Sequence, residues 1–176
     1  MSSTFHRARE RYQQAKDTCR REAAIKVGTF LGVQFYISGW TDRARHALSD
    51  QWLVEGAPPR SGWDWPEVFR RHNDPDRLDM AVWLGQDRLC GLGLCLTGSQ
   101  AVEIRFVEGD PRQDCPLKGK RTLIFLECAA GYAQLRGKAE LRIQPKNQRL
   151  ETLYTEIYGF SLETPRRGPA YYRKVV

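Results

Sequence analysis

The sequence has few of the residues from which metal sites and disulfide frameworks are built. Its five cysteines are scattered along the chain, none of them forms a CxxC pair, and its three histidines lie far apart. An odd and scattered set of this kind argues against a disulfide framework and against a zinc site. It favours a reducing cytoplasm as the compartment, and we expect no bound metal.

Long apolar segments are also lacking. No apolar run approaches the length of a membrane span, and the opening MSSTFHRARERYQQ does not have the pattern of a signal peptide. There is no internal repeat and no low-complexity segment. The 176 residues are enough for one domain with a hydrophobic core. We therefore expect a globular protein with no membrane partner.

Positive charge is in excess. The chain has 28 lysines and arginines against 21 acidic residues, which gives a formal net charge of +7. Such an excess favours an acidic or phosphate-bearing partner. A solvated basic surface without a partner explains the same charge equally well. Charge alone therefore leaves the partner open.

The first 27 residues are predicted to form a charged N-terminal helix, and residues 28–176 the main domain. The segment FHRARERYQQAKDTCRREAAIKV spreads its basic residues around the helix, and Phe5, Tyr12 and Ala15 give it one apolar side. The helix is either a solvated, loosely docked element or an arm that binds a nucleic acid or a protein partner. A homodimer contact is one such role.

The rest of the chain is predicted to contain both strands and helices. GTFLGVQFYISG predicts a strand, TDRARHALSDQWL a helix, and PEVFRRHND a short helix with Pro66 in its first turn. The last hundred residues predict the order β-β-β-α-β-α-β, in which an antiparallel meander precedes a β-α-β crossover. The predicted class is α+β, with a mixed and mostly antiparallel sheet.

One stretch points to a ligand. CPLKGKRTLIFLECAAGYA places a basic, glycine-containing loop directly before an apolar helix, which Gly137 closes. The N-terminus of a helix carries partial positive charge and free backbone N–H groups. Additional cations at this end destabilise the helix unless something negative binds there, and phosphate is the obvious ligand.

These elements resemble the GCN5-related N-acetyltransferase (GNAT) superfamily from about Asp79 to Val176. The matching segments are VEIRFV, EGDP…PLKGKR, TLIFLECAAGYAQLRG, AELRI and NQRLETLYTEIYGF, the last of which is similar to that family's "N…LY…GF" signature. The resemblance implies an α/β/α sandwich with acetyl-CoA in a V-shaped split between the strands at 101–107 and 139–143. It places the pyrophosphate on the helix that starts near Thr122, and implies cofactor contacts from Val107, Lys118, Gly119, Lys120, Arg121, Thr122, Asn147 and Tyr154.

The chain departs from the family's pattern in two places. The family's loop is Q/R-x-x-G-x-G/A, whereas residues 116–121 here are PLKGKR, so that Gly119 is kept and Arg121 replaces the final small residue. The backbone N–H groups can still bind phosphate, and the added cations favour the same ligand. In YTEIYGF, four residues separate Tyr154 from Gly159 where the family has three, so Tyr158 is a second candidate for the catalytic tyrosine.

Acetyl transfer to an amine needs a base for the amine, a donor for the developing oxyanion and an acid for the leaving thiolate. Glu103 and Glu108 are the candidate bases, and each is otherwise a surface carboxylate that pairs with a cation. Tyr154 is the first choice as the acid, because a phenol with a pKa of about 10 can donate to a forming thiolate. A backbone N–H near Val107 to Gly109 is the candidate oxyanion donor, with Gly109 in either a bulge or a turn.

Three functions remain open. The first is acetyl transfer from acetyl-CoA to a small amine, a protein amino group or an aminoacyl-tRNA. The second is a catalytically weak or inactive binding module that acts on a protein or nucleic-acid partner. The third is a related transferase with a different acyl donor, or a nucleobase-modifying relative of the fold. An open groove for coenzyme A favours the first, and a groove filled by side chains such as Arg121 or Trp63 favours the second.

Overall fold

A computed structural model describes residues 2–60 and 62–176, which contain both helices and strands. The helices are α1 (Ser2–Leu31), α2 (Asp42–Ala47), α3 (Trp65–Arg71), α4 (Arg121–Leu135) and α5 (Gln148–Thr152). The strands are β1 (Phe35–Ser38), β2 (Leu78–Leu84), β3 (Arg88–Thr97), β4 (Ala101–Gly109), β5 (Glu140–Ile143), β6 (Ser161–Glu163) and β7 (Tyr171–Val175). Two π-helical turns, Leu48–Trp52 and Leu153–Ile157, directly continue α2 and α5.

The strands form a seven-stranded sheet in the order β1-β2-β3-β4-β5-β7-β6. β4 and β5 pair in parallel, and each of the other neighbouring pairs is antiparallel. Helix α4 connects the parallel pair, as the β-α-β crossover in the sequence predicted. The predicted α+β class and the mixed, mostly antiparallel sheet are therefore confirmed.

Helices cover both faces of the sheet, which gives three layers. On one face, α1 and α4 pack on a core that includes Val27, Val102, Ile124 and Leu141. On the other face, α2 and α3 pack on a second core, which is dominated by the buried indoles of Trp52, Trp65 and Trp83. Alternation along the strands sends successive side chains to the two cores. The α/β/α sandwich is confirmed.

Helix α1 is longer than the sequence predicted. It continues past residue 27 to Leu31, so the strand expected over 28–39 is limited to β1. Its end is a glycine cap, because Gly32 has a φ of 66° and the N–H of Val33 donates to the carbonyl of Gly28. Three of its residues, Cys19, Ala23 and Val27, are buried in the core. The second half of α1 is thus docked, and the division of the chain at residue 27 stays a prediction.

Other boundaries shift by a few residues. The helix expected at 41–53 is α2 followed by a π-turn, and the Thr41 hydroxyl caps it by accepting from the N–H of Ala44. Strand β6 was not predicted, because its three residues are too short to show alternation. Gly137 closes α4 with a φ of 63°, as expected.

None of the helices within residues 2–60 and 62–176 combines the length and the apolar character that crossing a membrane requires.

A buried ion pair attaches α1 to the sheet. The Arg20 guanidinium lies 2.8 Å from a carboxylate oxygen of Asp79 on β2, and it also donates to the Asp79 carbonyl. The other carboxylate oxygen of Asp79 accepts from the N–H of Trp40 at 2.7 Å. Arg20 and Asp79 are 5% and 9% exposed. Removing one partner of such a pair leaves an uncompensated buried charge, which is costly.

We therefore expect Arg20→Met to lower the free energy of unfolding by about 3–5 kcal/mol. The matched control is Arg21→Met, because Arg21 is the exposed neighbour of Arg20 on the same helix and its replacement is expected to change stability by less than about 0.5 kcal/mol. Urea denaturation followed by tryptophan fluorescence measures both. Equal stabilities of the two variants would show that the pair does not hold α1 in place.

Candidate functional site

The parallel pairing of β4 with β5 is short. It extends over four residue pairs and ends at Ile104 and Ile143. β4 continues beyond this point to Gly109, whereas β5 stops at Ile143. From Arg105 onward, the edge of β4 that faces β5 therefore has no partner strand within the part of the chain that the structure describes. This V-shaped split matches the one that the resemblance implied.

A β-bulge lies where the two strands separate. Leu94 of β3 pairs with Phe106, but the next residue, Cys95, pairs with Ile104, so Arg105 is an additional residue on β4. A bulge bends its strand and increases the local twist, which turns the end of β4 away from β5. The bulge is at Arg105 and not at Gly109, where the sequence had left either a bulge or a turn open.

The bulge also sets the direction of the side chains that follow it. Phe106 packs against the core under α2 and α3. Val107, the next residue, therefore points to the face of α4, where it is 38% exposed. Glu108 returns to the face of Phe106. Val107 thus lies on the side of the split where the resemblance places the cofactor, and Glu108 lies on the opposite side.

The loop before α4 leaves backbone donors at the N-terminus of the helix. Gly119 has a φ of 79°, a conformation that favours glycine, which explains why this residue of the loop pattern is kept. The N–H groups of Lys118 and Lys120 donate to carbonyls within the loop. Within residues 2–60 and 62–176, no hydrogen-bond acceptor faces the N–H groups of Gly119, Arg121, Thr122 and Leu123. Four N–H groups at the start of a 15-residue helix are suited to an anion.

The cationic side chains of this loop take different directions. Lys118 is exposed, and its ammonium group donates to the side chain of Gln113. Lys120 is half-buried at the N-cap position and makes no side-chain capping bond. Arg121 folds back across the end of β4, where its guanidinium donates to the carbonyl of Asp110 at 2.9 Å. A Cβ atom on Gly109 would lie 1.9 Å from the guanidinium carbon, so Arg121 occupies space beside the groove.

Tyr154 lies in the π-turn that follows α5. A π-turn contains one more residue than an α-helical turn, and it accommodates the additional residue between Tyr154 and Gly159. The ring of Tyr154 is buried, 6.3 Å from the ring of Tyr158 and 5.7 Å from that of Phe160. Burial, and then the neighbouring Tyr158, raise the pKa of Tyr154 to about 12. Its hydroxyl therefore stays protonated at neutral pH.

Asn147 is the N-cap of α5, as the sequence predicted. Its side-chain oxygen accepts from the N–H of Leu150 at 3.0 Å. Only the oxygen is used in the cap, and the amide nitrogen of Asn147 has no acceptor among residues 2–60 and 62–176. Asn147 follows β5 closely, so this donor lies near the β5 side of the split.

The two candidate bases have different surroundings. Glu103 is opposite Arg142 in the β4–β5 register, and the guanidinium of Arg105 donates to its carboxylate at 3.2 Å. The side chain of Glu103 is 29% exposed. Among the described residues it therefore has one ion pair, with Arg105, and it remains in contact with solvent.

Glu108 is more tightly held. The guanidinium of Arg60 contacts both of its carboxylate oxygens, at 2.6 and 3.2 Å. The indole N–H of Trp65 donates to the carboxylate at 2.9 Å. The side chains of Glu108 and Arg60 are 11% and 18% exposed. In this arrangement Glu108 fastens the loop before α3 to the end of β4.

Trp63 belongs to the same loop and lies over the split. Its ring contacts the ring of Phe106 edge-on at 4.8 Å, and the ammonium group of Lys146 lies 3.3 Å from its centroid. Phe106 follows the bulge of β4, and Lys146 lies in the segment after β5. Trp63 therefore bridges the two sides of the split on the face opposite α4.

A cluster of possible metal ligands lies at the end of β4. The ligand atoms of Cys90, Asp110 and Cys115 are all within 4.8 Å of one another. The Asp110 carboxylate already accepts hydrogen bonds from Arg88 and Arg112. Burial, and then the neighbouring Cys115, raise the pKa of the Cys90 thiol to about 12, which disfavours the thiolate. We therefore assign no metal to this cluster.

Several residues of the site were not singled out from the sequence. Arg60 and its contact with Glu108 have no local signal, because the two residues are far apart in the chain. The side of the sheet on which Arg142 lies, in contrast, can be inferred from the sequence. In AELRI, alternation places Arg142 on the face of the sheet opposite the buried Leu141 and Ile143.

The fold is similar to that of solved acetyltransferase structures. A GNAT-family acetyltransferase from Listeria monocytogenes 4b F2365 has 16% sequence identity and a TM-score of 0.54, over 82% of this chain and 96% of that one. An acetyltransferase from Streptococcus agalactiae has 13% identity and a TM-score of 0.52, over 81% and 98% of the two chains. The ribosomal-protein-S18-alanine N-acetyltransferase from Escherichia coli has 16% identity and a TM-score of 0.50, over 80% and 91%.

No protein-family model matches the sequence, and the comparison with curated proteins finds no match. At the identities of the structural neighbours, the likeness establishes the fold. The resemblance that the sequence predicted is therefore confirmed at the level of the fold, and the roles of the individual site residues stay predictions.

The contacts of Glu108 predict a structural role that can be separated from catalysis. We expect Glu108→Gln to lower the free energy of unfolding by about 1–3 kcal/mol, because Arg60 loses its charged partner in a mostly buried setting. Glu103→Gln is the matched control, and it is expected to change stability by less than about 0.5 kcal/mol because its ion pair is exposed. Urea denaturation measures both values. Unchanged stability of Glu108→Gln would contradict the structural role.

Proposed function

Because this chain has the fold of the GCN5-related N-acetyltransferases, we propose that it transfers an acetyl group from acetyl-CoA to an amine. The observation that carries the proposal is the group of four N–H donors at the start of α4, located at the end of the split. A diphosphate is the part of coenzyme A that such donors bind.

In this proposal, acetyl-CoA lies along the unpaired edge of β4. Its pyrophosphate accepts from the N–H groups of Gly119, Arg121 and Thr122, and Lys118, Lys120 and Arg121 add positive charge. The backbone at Val107 offers hydrogen bonds to the amides of the pantetheine arm, because the β5 side of β4 has no partner there. The side-chain amide of Asn147 supplies a further donor from the β5 side.

The reaction proposed at the split is a direct transfer. The neutral amine attacks the thioester carbon, and a backbone N–H near Val107 to Gly109 stabilises the oxyanion. The C–S bond then breaks, and Tyr154 donates its proton to the leaving sulfur. Of the two candidate bases, Glu103 is the better placed to accept the proton from the amine, because Glu108 is engaged by Arg60 and Trp65.

A second candidate function is a binding module without transferase activity. Two observations favour it. Arg121 occupies space beside the groove, and Trp63 bridges the split on the other face. The two functions make opposite predictions for how the Arg121 side chain affects acetyl-CoA binding. If Arg121 contacts the phosphate, it strengthens the binding of acetyl-CoA. If it fills the groove, it weakens that binding.

We propose a reducing cytoplasm as the location of the reaction. All five cysteines are buried free thiols, including Cys19 and Cys128, whose sulfur atoms are 3.7 Å apart. An odd, scattered set of cysteines with no CxxC pair is typical of chains whose thiols stay reduced, which supports the proposal.

For Arg121→Ala we expect acetyl-CoA binding to weaken about tenfold, because a charge-assisted contact with phosphate is lost. Isothermal titration calorimetry measures the dissociation constant. Arg9→Ala is the matched control, because it removes the same charge from an exposed position on α1, and its affinity is expected to be unchanged. Tighter binding by Arg121→Ala would favour the binding module, and no binding by the unmutated chain would reject acetyl transfer.

For Tyr154→Phe we expect turnover to fall at least tenfold while acetyl-CoA affinity changes little, because only the hydroxyl that protonates the sulfur is removed. Release of the coenzyme A thiol measures turnover. Tyr158→Phe is the control and is expected to keep its activity, which also tests the choice between the two tyrosines. Equal turnover of Tyr154→Phe and the unmutated chain would reject Tyr154 as the acid.

A further inference from the structure

A cleft of about 480 Å³ lies at the split, on the sheet face opposite α4. Arg105 and Gln144, which directly follow the last paired residues Ile104 and Ile143, both line it. Arg167, in the loop between β6 and β7, and Tyr171, the first residue of β7, form its outer wall. The volume is in the range of small-molecule sites. The cleft therefore lies at the beginning of the split, on the side opposite the proposed acetyl-CoA groove and beside the bridge that Trp63 forms.

The charged residues of this cleft are unequal in number. Three arginines, Arg105, Arg142 and Arg167, line it together with one carboxylate, that of Glu103. Arg105 donates to Glu103 and Arg142 to Glu140, which leaves the positive charge of Arg167 in excess within the described part of the chain. A cleft with this balance favours a ligand that carries negative charge.

Arg142 is held in position for such a ligand. Its guanidinium carbon lies 4.6 Å from the centroid of the Tyr171 ring, and its Nε donates to the carboxylate of Glu140 at 2.6 Å. Its two terminal nitrogens have no acceptor among residues 2–60 and 62–176. A planar guanidinium fixed in this way presents two donors side by side, which suits the two oxygens of a carboxylate or phosphate.

Arg167 adds a second, less restricted donor. It is exposed on the loop between β6 and β7, and no acidic group contacts it among residues 2–60 and 62–176. Glu103, directly opposite Arg142 in the register, supplies the negative group in the same cleft. A molecule with an ammonium group and an anionic group can therefore contact Glu103 and the arginines together.

We propose that the acceptor is a small amine that also carries a carboxylate or a phosphate. The anionic group binds Arg142 and Arg167, and this contact directs the amine toward Glu103 and the split. The proposal rests on the proposed acetyl transfer, because it assigns the acceptor of that reaction.

Two matched pairs of amines test it by isothermal titration calorimetry with the full chain. O-phosphoethanolamine is compared with ethanolamine, and β-alanine with β-alaninamide, so that each pair differs in one anionic group. We expect the anionic member of one pair to bind at least about tenfold more tightly than its partner without the anionic group. Preference within the first pair assigns phosphate, and preference within the second assigns carboxylate.

Substitutions of single arginines show which side chains contact the anionic group of the amine. Arg142→Gln and Arg167→Gln are each expected to reduce the preference about tenfold, whereas Arg166→Gln, on the exposed residue next to Arg167, is expected to keep it. Because Arg167 is on the surface, its variant remains informative even where Arg142→Gln fails to fold. The inference is overturned when neither anionic amine binds more tightly than its partner. It is also overturned when Arg166→Gln reduces the preference for the anionic amine as much as Arg167→Gln does.

A titration with acetyl-CoA separates the two proposals. Acetyl-CoA binding without a preference for anionic amines overturns the acceptor assignment and leaves acetyl transfer standing. A preference for anionic amines without acetyl-CoA binding supports the anion contact in the cleft and overturns acetyl transfer.

Discussion

The short parallel pairing of β4 with β5 is the constraint on which the candidate site depends. Only four residue pairs join the strands, and the bulge at Arg105 turns β4 away from β5 as soon as the pairing ends. Helix α4 starts after the free end of β4 and returns to the beginning of β5. The unpaired backbone of β4 and the N–H donors of α4 are therefore at the same end of the sheet. Continued pairing would remove this arrangement.

Side chains occupy both faces of the split, and their contacts differ in strength. Glu108, Arg60 and Trp65 form a mostly buried charged network, which is costly to open. Arg121, in contrast, is held among the described residues by one hydrogen bond to a backbone carbonyl. A guanidinium binds phosphate more strongly than it binds a neutral carbonyl, so a diphosphate at α4 can compete for Arg121. The side near α4 is therefore the side more easily opened to a ligand.

The features that were predicted correctly are those with a local cause. Gly137 closes α4 with a positive φ, and Asn147 caps α5 through a residue three positions away. The features that were not predicted depend on distant residues or on small energy differences. The additional residue after Tyr154 is accommodated by a π-turn, which α-helical periodicity alone does not indicate.

The sequence by itself determined the class of the fold, the order of its elements and the basic loop at the start of α4, because alternation, helical periodicity and turn residues act over a few positions. Only the tertiary structure decided that Arg60 contacts Glu108, that Arg121 folds back over Gly109 and that Arg142 and Arg167 share a cleft with Glu103. These contacts join residues from separate segments of the chain. Their geometry follows from strand register and from the bulge at Arg105, which sequence patterns do not specify.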